Sequence, residues 1–164
     1  MISFKLVENE DLVMIEEWLN YEHVKKWYEI PELNVSIDDW LMELRQREEQ
    51  FNWLTHLIVF WDNQPFGFCL YYKASDSHGE DFADICLDGT YGIDYLIGDP
   101  AFLGKGYGKK MILCLIEKIL RLKNAKRITA EIDPSNIASR NVLLSCGFHL
   151  IGESNNRYLL EKEL

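Results

Sequence analysis

The chain has 164 residues, 48% of them apolar and 13% aromatic, and its 17 Lys and Arg against 27 Asp and Glu give a formal net charge of −10. That is enough chain and apolar matter for one packed domain over residues 1–164, which excludes disorder, and the negative charge argues against nucleic acid as a partner. No run of about 18 uncharged apolar residues occurs, so no membrane span is expected. The segment Met1-Ile2-Ser3-Phe4-Lys5 lacks an apolar leader, and a cytoplasmic location is expected.

Ile2, Phe4 and Leu6 alternate and predict a first strand. Asn9 reads as the cap of a helix with Glu10 and Asp11 in its first turn and Leu12, Ile15, Trp18 and Leu19 as its apolar stripe. A polar-aromatic segment, Tyr21 to Ile30, ends at Pro31. Ser36-x-x-Asp39 resembles a capping box for a second helix facing inward through Ile37, Trp40, Leu41 and Leu44. Phe51 to Trp61 is β-rich, Asp62-Asn63-Gln64-Pro65 is a turn, and Phe66 to Tyr72 returns as a hairpin partner. Ala74 to Thr90 is acidic and without period, a long loop of the kind that is usually functional or mobile.

A strand over Tyr91 to Gly98, a turn and a helix follow, the helix with Ile112, Leu115, Ile116, Ile119 and Leu120 at the spacing of one buried face. Arg127 to Ile132 reads as a strand, Asp133-Pro134-Ser135-Asn136 as the cap of a short helix ending before Gly147, and Phe148 to Ile151 with Arg157 to Leu160 as a closing hairpin. The order β-α-α-β-β-β-α-β-α-β-β is an α/β layer structure. Cys69, Cys86, Cys114 and Cys146 are scattered without Cys-x-x-Cys or His-x-x-x-His spacing, so free buried thiols and no metal are expected.

The turn Leu103-Gly104-Lys105-Gly106-Tyr107-Gly108-Lys109 puts three alternating glycines before a helix. Uncovered N–H groups and the positive end of the helix dipole suit a pyrophosphate there. The glycine spacing is not that of the dinucleotide fingerprint, and no Lys-Ser or Lys-Thr follows as in a P-loop. Asp94, on the preceding strand amid Ile93, Leu96 and Ile97, is open to two readings. It is either a solvated residue of the strand's polar face or the proton acceptor that an amine nucleophile needs near pH 7.

The strand, turn and helix resemble the pyrophosphate-binding motif of the GCN5-related N-acetyltransferases (GNAT), although Leu103 stands where an Arg or Gln is usual. Within that superfamily Gly92-Ile93-Asp94 and the Leu-Gly-Lys-Gly-Tyr-Gly turn are most similar to the aminoglycoside 6′-N-acetyltransferases, as are Trp18-Leu19-Asn20, His23-Val24, Trp27 and the Asp133-to-Asn136 segment. The resemblance implies a mixed central sheet, splayed at the cofactor and flanked by helices. It implies acetyl-CoA as cosubstrate, held by main-chain groups of Leu96 and Ile97, by the turn from Leu103 through Gly104, Lys105, Gly106, Tyr107 and Gly108 to Lys109, and by Asn136. Asp94 becomes the catalytic carboxylate, and Trp18, Trp27, Glu80, Asp81 and Asp133 line a cleft for a cationic aminoglycoside. His23 is assigned no catalysis. Leu143 occupies the position of a tyrosine that in the family can protonate the leaving thiolate, so a tyrosine-assisted step is not expected. A monomer or homodimer is expected. Two other readings stay open: transfer to a polyamine, a siderophore precursor or a protein N-terminus, and a catalytically silent acyl-CoA-binding module.

Overall fold

A computed structural model of the chain describes residues 1–77 and 85–164. Among them run β1 (Ile2–Leu6), α1 (Leu12–Asn20), α2 (Glu22–Tyr28), α3 (Ile37–Arg45), β2 (Leu54–Trp61), β3 (Gln64–Lys73), β4 (Thr90–Ile97), α4 (Tyr107–Leu120), β5 (Arg127–Ile132), α5 (Ile137–Ser145), β6 (His149–Ser154) and β7 (Arg157–Glu163). The strands form one mixed sheet in the order β1-β2-β3-β4-β5-β7-β6. β4 and β5 are parallel, whereas β1–β2, β5–β7 and β6–β7 are antiparallel. The hairpin between β2 and β3 turns on Asp62 and Asn63, both at positive φ (47° and 71°), a conformation that short polar side chains tolerate.

Backbone proximity divides the chain into two compact units, Met1–Leu70 with Tyr95–Lys105 and Tyr71–Asp94 with Gly106–Leu164. The first has a core of Ile15, Leu19, Leu41, Leu44, Leu57, Ile58 and Phe66, with Phe66 stacked on Phe102 at 4.8 Å between ring centres. The second buries Met111, Ile112, Leu115 and Ile119 of α4 with Ile128, Leu143 and Leu160. Each such side chain contributes about 1.5–3 kcal/mol by leaving water.

Several boundaries differ from the sequence-based expectation. Asn9 does not cap α1. Asn9–Asp11 form a 3-10 turn in which the Glu8 N–H donates to the Asp11 carboxylate at 2.8 Å, and α1 starts only at Leu12. The Tyr21–Ile30 segment contains an unforeseen helix, α2, because its buried pair Val24 and Tyr28 lies at i, i+4 and Lys25 and Glu29 pair at 3.5 Å on the outside. The Ser36 box forms as expected, with the Asp39 N–H donating to Ser36 Oγ at 3.3 Å and the Ser36 N–H to Asp39 Oδ2 at 2.7 Å. Leu120, expected inside, is 56% exposed. Met111 joins the stripe instead, and at 100° per residue Leu120 then lies roughly 110° from the stripe's centre. β7 runs three residues past Leu160, because charged Glu161, Lys162 and Glu163 pair along β5 as far as Arg127.

Candidate active site

The parallel pairing of β4 with β5 covers Thr90 to Ile93 and ends there, so Asp94 to Ile97 carry the strand beyond its last β5 partner. Two side chains of α2 meet this end of the strand. The Tyr28 hydroxyl donates to the Tyr95 carbonyl at 2.9 Å, and His23 Nε2 lies 3.0 Å from the Ile97 carbonyl oxygen, which fixes that nitrogen as the N–H donor. Residues two apart in a strand present their main-chain groups to the same edge, so Tyr95 and Ile97 share one edge. Leu96 shares the other with Gly98, whose N–H donates to the Phe66 carbonyl at 2.9 Å. The two main-chain partners expected at Leu96 and Ile97 therefore lie on opposite edges of the strand.

Trp18 was expected to face a substrate. It is 5% exposed, and its indole lies across Gly98 so closely that a Cβ there would come within 3.0 Å of three indole atoms. It is the floor under the end of β4 and not a wall of a cleft. The helix also breaks at Tyr21, whose backbone is extended (φ −66°, ψ 136°), so Trp18 and Trp27 do not share one helical face. Trp27 is half-buried, with the Lys26 ammonium 5.0 Å from its ring centre. Asp94 is half-buried on β4. Glu80 and Asp81 lie outside the described residues.

In the glycine turn, Gly104 and Gly106 adopt φ of +69° and +79°, and nothing lies within 4 Å of where their Cβ atoms would stand. The first main-chain bond of α4 runs from the Lys110 N–H to the Gly106 carbonyl at 3.3 Å. Among the described residues, no main-chain acceptor meets the N–H groups of Gly104, Lys105, Gly106, Gly108 and Lys109. Leu103 is 39% exposed, the Lys105 ammonium bonds back to the Ala101 carbonyl at 2.7 Å, and the Lys110 ammonium sits 4.8 Å from the Tyr107 ring centre. Lys109 is exposed and Gly108 buried.

At the start of α5 both predicted contacts already have local work. Asp133 Oδ1 accepts the Ser135 N–H at 2.8 Å and the Ser135 hydroxyl at 2.6 Å. The hydroxyl bond is the main cause of a carboxyl pKa below its ordinary value, against an opposing push from burial, with help from the Ser135 N–H and the Arg157 charge. Asn136 caps the helix, its Oδ1 accepting the Ser139 N–H at 3.1 Å. Leu143 is fully buried. No group of three His, Cys, Asp or Glu that could hold a metal occurs among the described residues, and no described helix is long and apolar enough to cross a membrane. A cavity of about 360 Å³ in the second unit is lined, among the described residues, by Lys73, Ser75, Thr90, Tyr91 and Lys123, and by none of the described residues expected in the site.

A family model described as an acetyltransferase (GNAT) domain matches residues 8–155. The chain belongs to the GNAT acetyltransferases. It is 26% identical over 155 residues to an aminoglycoside N(6′)-acetyltransferase type 1 of Klebsiella pneumoniae, covering 92% of this chain and 75% of that one. It is 30% identical over 108 residues to a spermine/spermidine N(1)-acetyltransferase of Bacillus subtilis, covering 65% and 68%. The fold is that of the aminoglycoside acetyltransferase AAC(6′)-Ib solved in complex with coenzyme A, with a TM-score of 0.81 at 22% identity, covering 99% of this chain and 95% of that one.

This GNAT protein is accordingly an N-acetyltransferase that uses acetyl-CoA. Its own residues fit that cosubstrate. A diphosphate needs several N–H donors and a close main-chain approach, and the turn carries five N–H groups without a main-chain acceptor before and within the first turn of a 14-residue helix, with open space above Gly104 and Gly106. A Cβ at either glycine would occupy that space. His23 and Tyr28 went unrecognised as residues that hold β4. The signal was there only in part: a His-Val pair between two tryptophans marks the segment, but nothing in it says that the ring meets a carbonyl 74 residues away.

Proposed function

We propose that this acetyltransferase transfers the acetyl group of acetyl-CoA to a primary amine of a polycationic small molecule, an aminoglycoside at its 6′ position, and that it does so as one domain in the cytoplasm. The observation that carries the reading is Asp94, half-buried on β4 one residue past the last β4–β5 pair, in a chain alignable over nearly its whole length with an aminoglycoside N(6′)-acetyltransferase. The net charge of −10 favours the approach of a cation.

Acetyl-CoA supplies an acyl group activated as a thioester, with a thiolate as leaving group. Asp94 takes a proton from the acceptor ammonium, or holds the amine in line, so that the nitrogen lone pair is available for direct attack. The N–H groups from Gly104 to Lys109 hold the diphosphate, and the Ile97 edge of β4 guides the pantetheine arm. Leu143 has no proton to give. A thiol of pKa about 8.5 leaves acceptably without an acid. In this reading Trp27, Glu80, Asp81 and Asp133 are acceptor-binding residues, and Asn136 is a cofactor-binding one.

Asp94→Asn keeps the shape and removes the charge. The expected result is a catalytic rate lower by at least about a hundredfold, with acetyl-CoA affinity unchanged, measured as thiol release with kanamycin as acceptor. A rate near wild type at neutral pH would make the carboxylate structural. The 30% identity to a spermine/spermidine acetyltransferase favours a second acceptor class, the linear polyamines. Efficient acetylation of spermidine together with none of kanamycin would select it. If the aminoglycoside reading holds, expression in a sensitive host raises the inhibitory concentration of kanamycin.

A further inference from the structure

Gly92 stands two residues before Asp94 on β4. A Cβ built on Gly92 would come within 3.0 Å of three atoms of Tyr72, among them the phenolic oxygen. The hydroxyl end of the tyrosine therefore lies on the face where a side chain at position 92 would project, and it occupies the place of that missing side chain. Alternate residues of a strand share a face, with a rise of about 3.3 Å per residue. Asp94 thus projects from the same face as the Tyr72 hydroxyl, one strand repeat of roughly 6.7 Å farther along. Tyr72, Gly92 and Asp94 all belong to one compact unit, and both side chains are half-buried.

We propose that Tyr72 is a second catalytic group of this enzyme. Its phenolic oxygen accepts a hydrogen bond from the acceptor amine while Asp94 holds another. The inference rests on the reading of Asp94 given above and adds a partner to it. Asp94 acts here as the group that holds the amine in line: a primary ammonium that has lost one proton to solvent water keeps two N–H bonds and a lone pair, whereas a proton passed to Asp94 would leave the lone pair aimed at that carboxyl. Two acceptors at hydrogen-bond distance from one tetrahedral nitrogen stand about 4.7 Å apart, a span that two side chains rising from positions 92 and 94 of one strand face can meet. With both N–H bonds directed to that face, the lone pair has a single direction left, away from Asp94 and Tyr72. Holding the nucleophile in that orientation is a recognised source of rate. The arrangement also gives Gly92 a reason: any side chain there would displace the phenol.

The test compares Tyr72→Phe, Asp94→Asn and Gly92→Ala with wild type, using kanamycin, spermidine and n-butylamine as acceptors. Tyr72→Phe keeps the ring on Gly92 and removes only the oxygen. It is expected to lower kcat/KM for the amine about tenfold or more, to leave KM for acetyl-CoA and the melting temperature unchanged, and to combine with Asp94→Asn in a less than multiplicative loss. Gly92→Ala is expected to lower the same ratio by displacing the phenol. A Tyr72→Phe enzyme equal to wild type, beside an Asp94→Asn enzyme slowed at least a hundredfold, would overturn the role of Tyr72 and leave that of Asp94 standing. A Tyr72→Phe loss that appears equally in KM for acetyl-CoA would also overturn it, since that marks general packing. Wild-type rates in both variants, or a wild type that acetylates none of the three amines, would overturn the two proposals together.

Discussion

Two pairs of glycines flank the chemistry, and they are glycine for opposite reasons. Gly92 and Gly98 lie under aromatic rings, those of Tyr72 and Trp18, and a Cβ at either would be driven into the ring. Gly104 and Gly106 have nothing within 4 Å of the same position, and their positive φ is what excludes other residues. The first pair makes room for the protein's own side chains and so fixes β4. The second leaves main-chain donors exposed and so is open to a ligand. The difference teaches that glycines close in sequence need not serve one purpose: a substitution in the first pair is expected to act on packing and one in the second on binding.

That contrast can be broken or sharpened by experiment. The largest stability effect is expected at Gly98→Ala, where the added methyl meets the indole of a 5% exposed tryptophan. Overpacking of this kind costs about 1–3 kcal/mol, and chemical denaturation should place this variant near the upper end with acetyl-CoA affinity altered only through the displaced strand. Trp18→Leu in the same chain should recover part of the loss, and no recovery would sever the link between ring and glycine. Next in size, Gly106→Val should weaken acetyl-CoA binding at least tenfold, about 1.4 kcal/mol, by calorimetry on a chain that still folds. Equal binding by Gly106→Val would erase the distinction between the two pairs.

A smaller effect is expected from His23→Phe, which keeps a ring against β4 but removes the donor to the Ile97 carbonyl. Loss of one such bond is worth about 0.5–1.5 kcal/mol, and it should show in melting temperature and in KM for acetyl-CoA. The smallest belongs to a region remote from both pairs. The Asp39 carboxyl is held below its ordinary value, first by the Ser36 N–H and then by the Ser36 hydroxyl. A depressed folded value contributes stability that is present above the unfolded pKa of about 3.9 and is lost as pH falls through the folded value. The gap in melting temperature between wild type and Asp39→Asn should therefore be constant near neutrality and close only below about pH 4. A gap that persists in acid would assign the effect to shape.

Local order was legible wherever it depends on neighbours along the chain. The stripe at Ile112, Leu115, Ile116 and Ile119, the Ser36 box, the strand Arg127–Ile132 and the turn before α4 all follow from spacing, because a helix or strand reports its buried face at a fixed period. The acetyltransferase family was legible too, through the strand, glycine turn and helix around Asp94. What failed locally failed for local reasons: α2 shows only two buried residues, Val24 and Tyr28, too few to mark a period.

The tertiary structure alone decided which residues meet. Trp18 and Gly98 are 80 positions apart, His23 and Ile97 are 74, and Tyr72 and Gly92 belong to different strands; no periodicity links them. The spacing of Trp18 favours the core and its resemblance to the family points to a cleft wall; its indole lies on Gly98. Asp133 and Asn136 each bond within their own turn, a local role that the spacing of the Asp133-to-Asn136 segment also allows. A sequence records the apolar period of an element and the conformational demands of its turns, since both act between near neighbours. Which ring covers which glycine is set by the packing of separate elements, and only the folded chain holds that information.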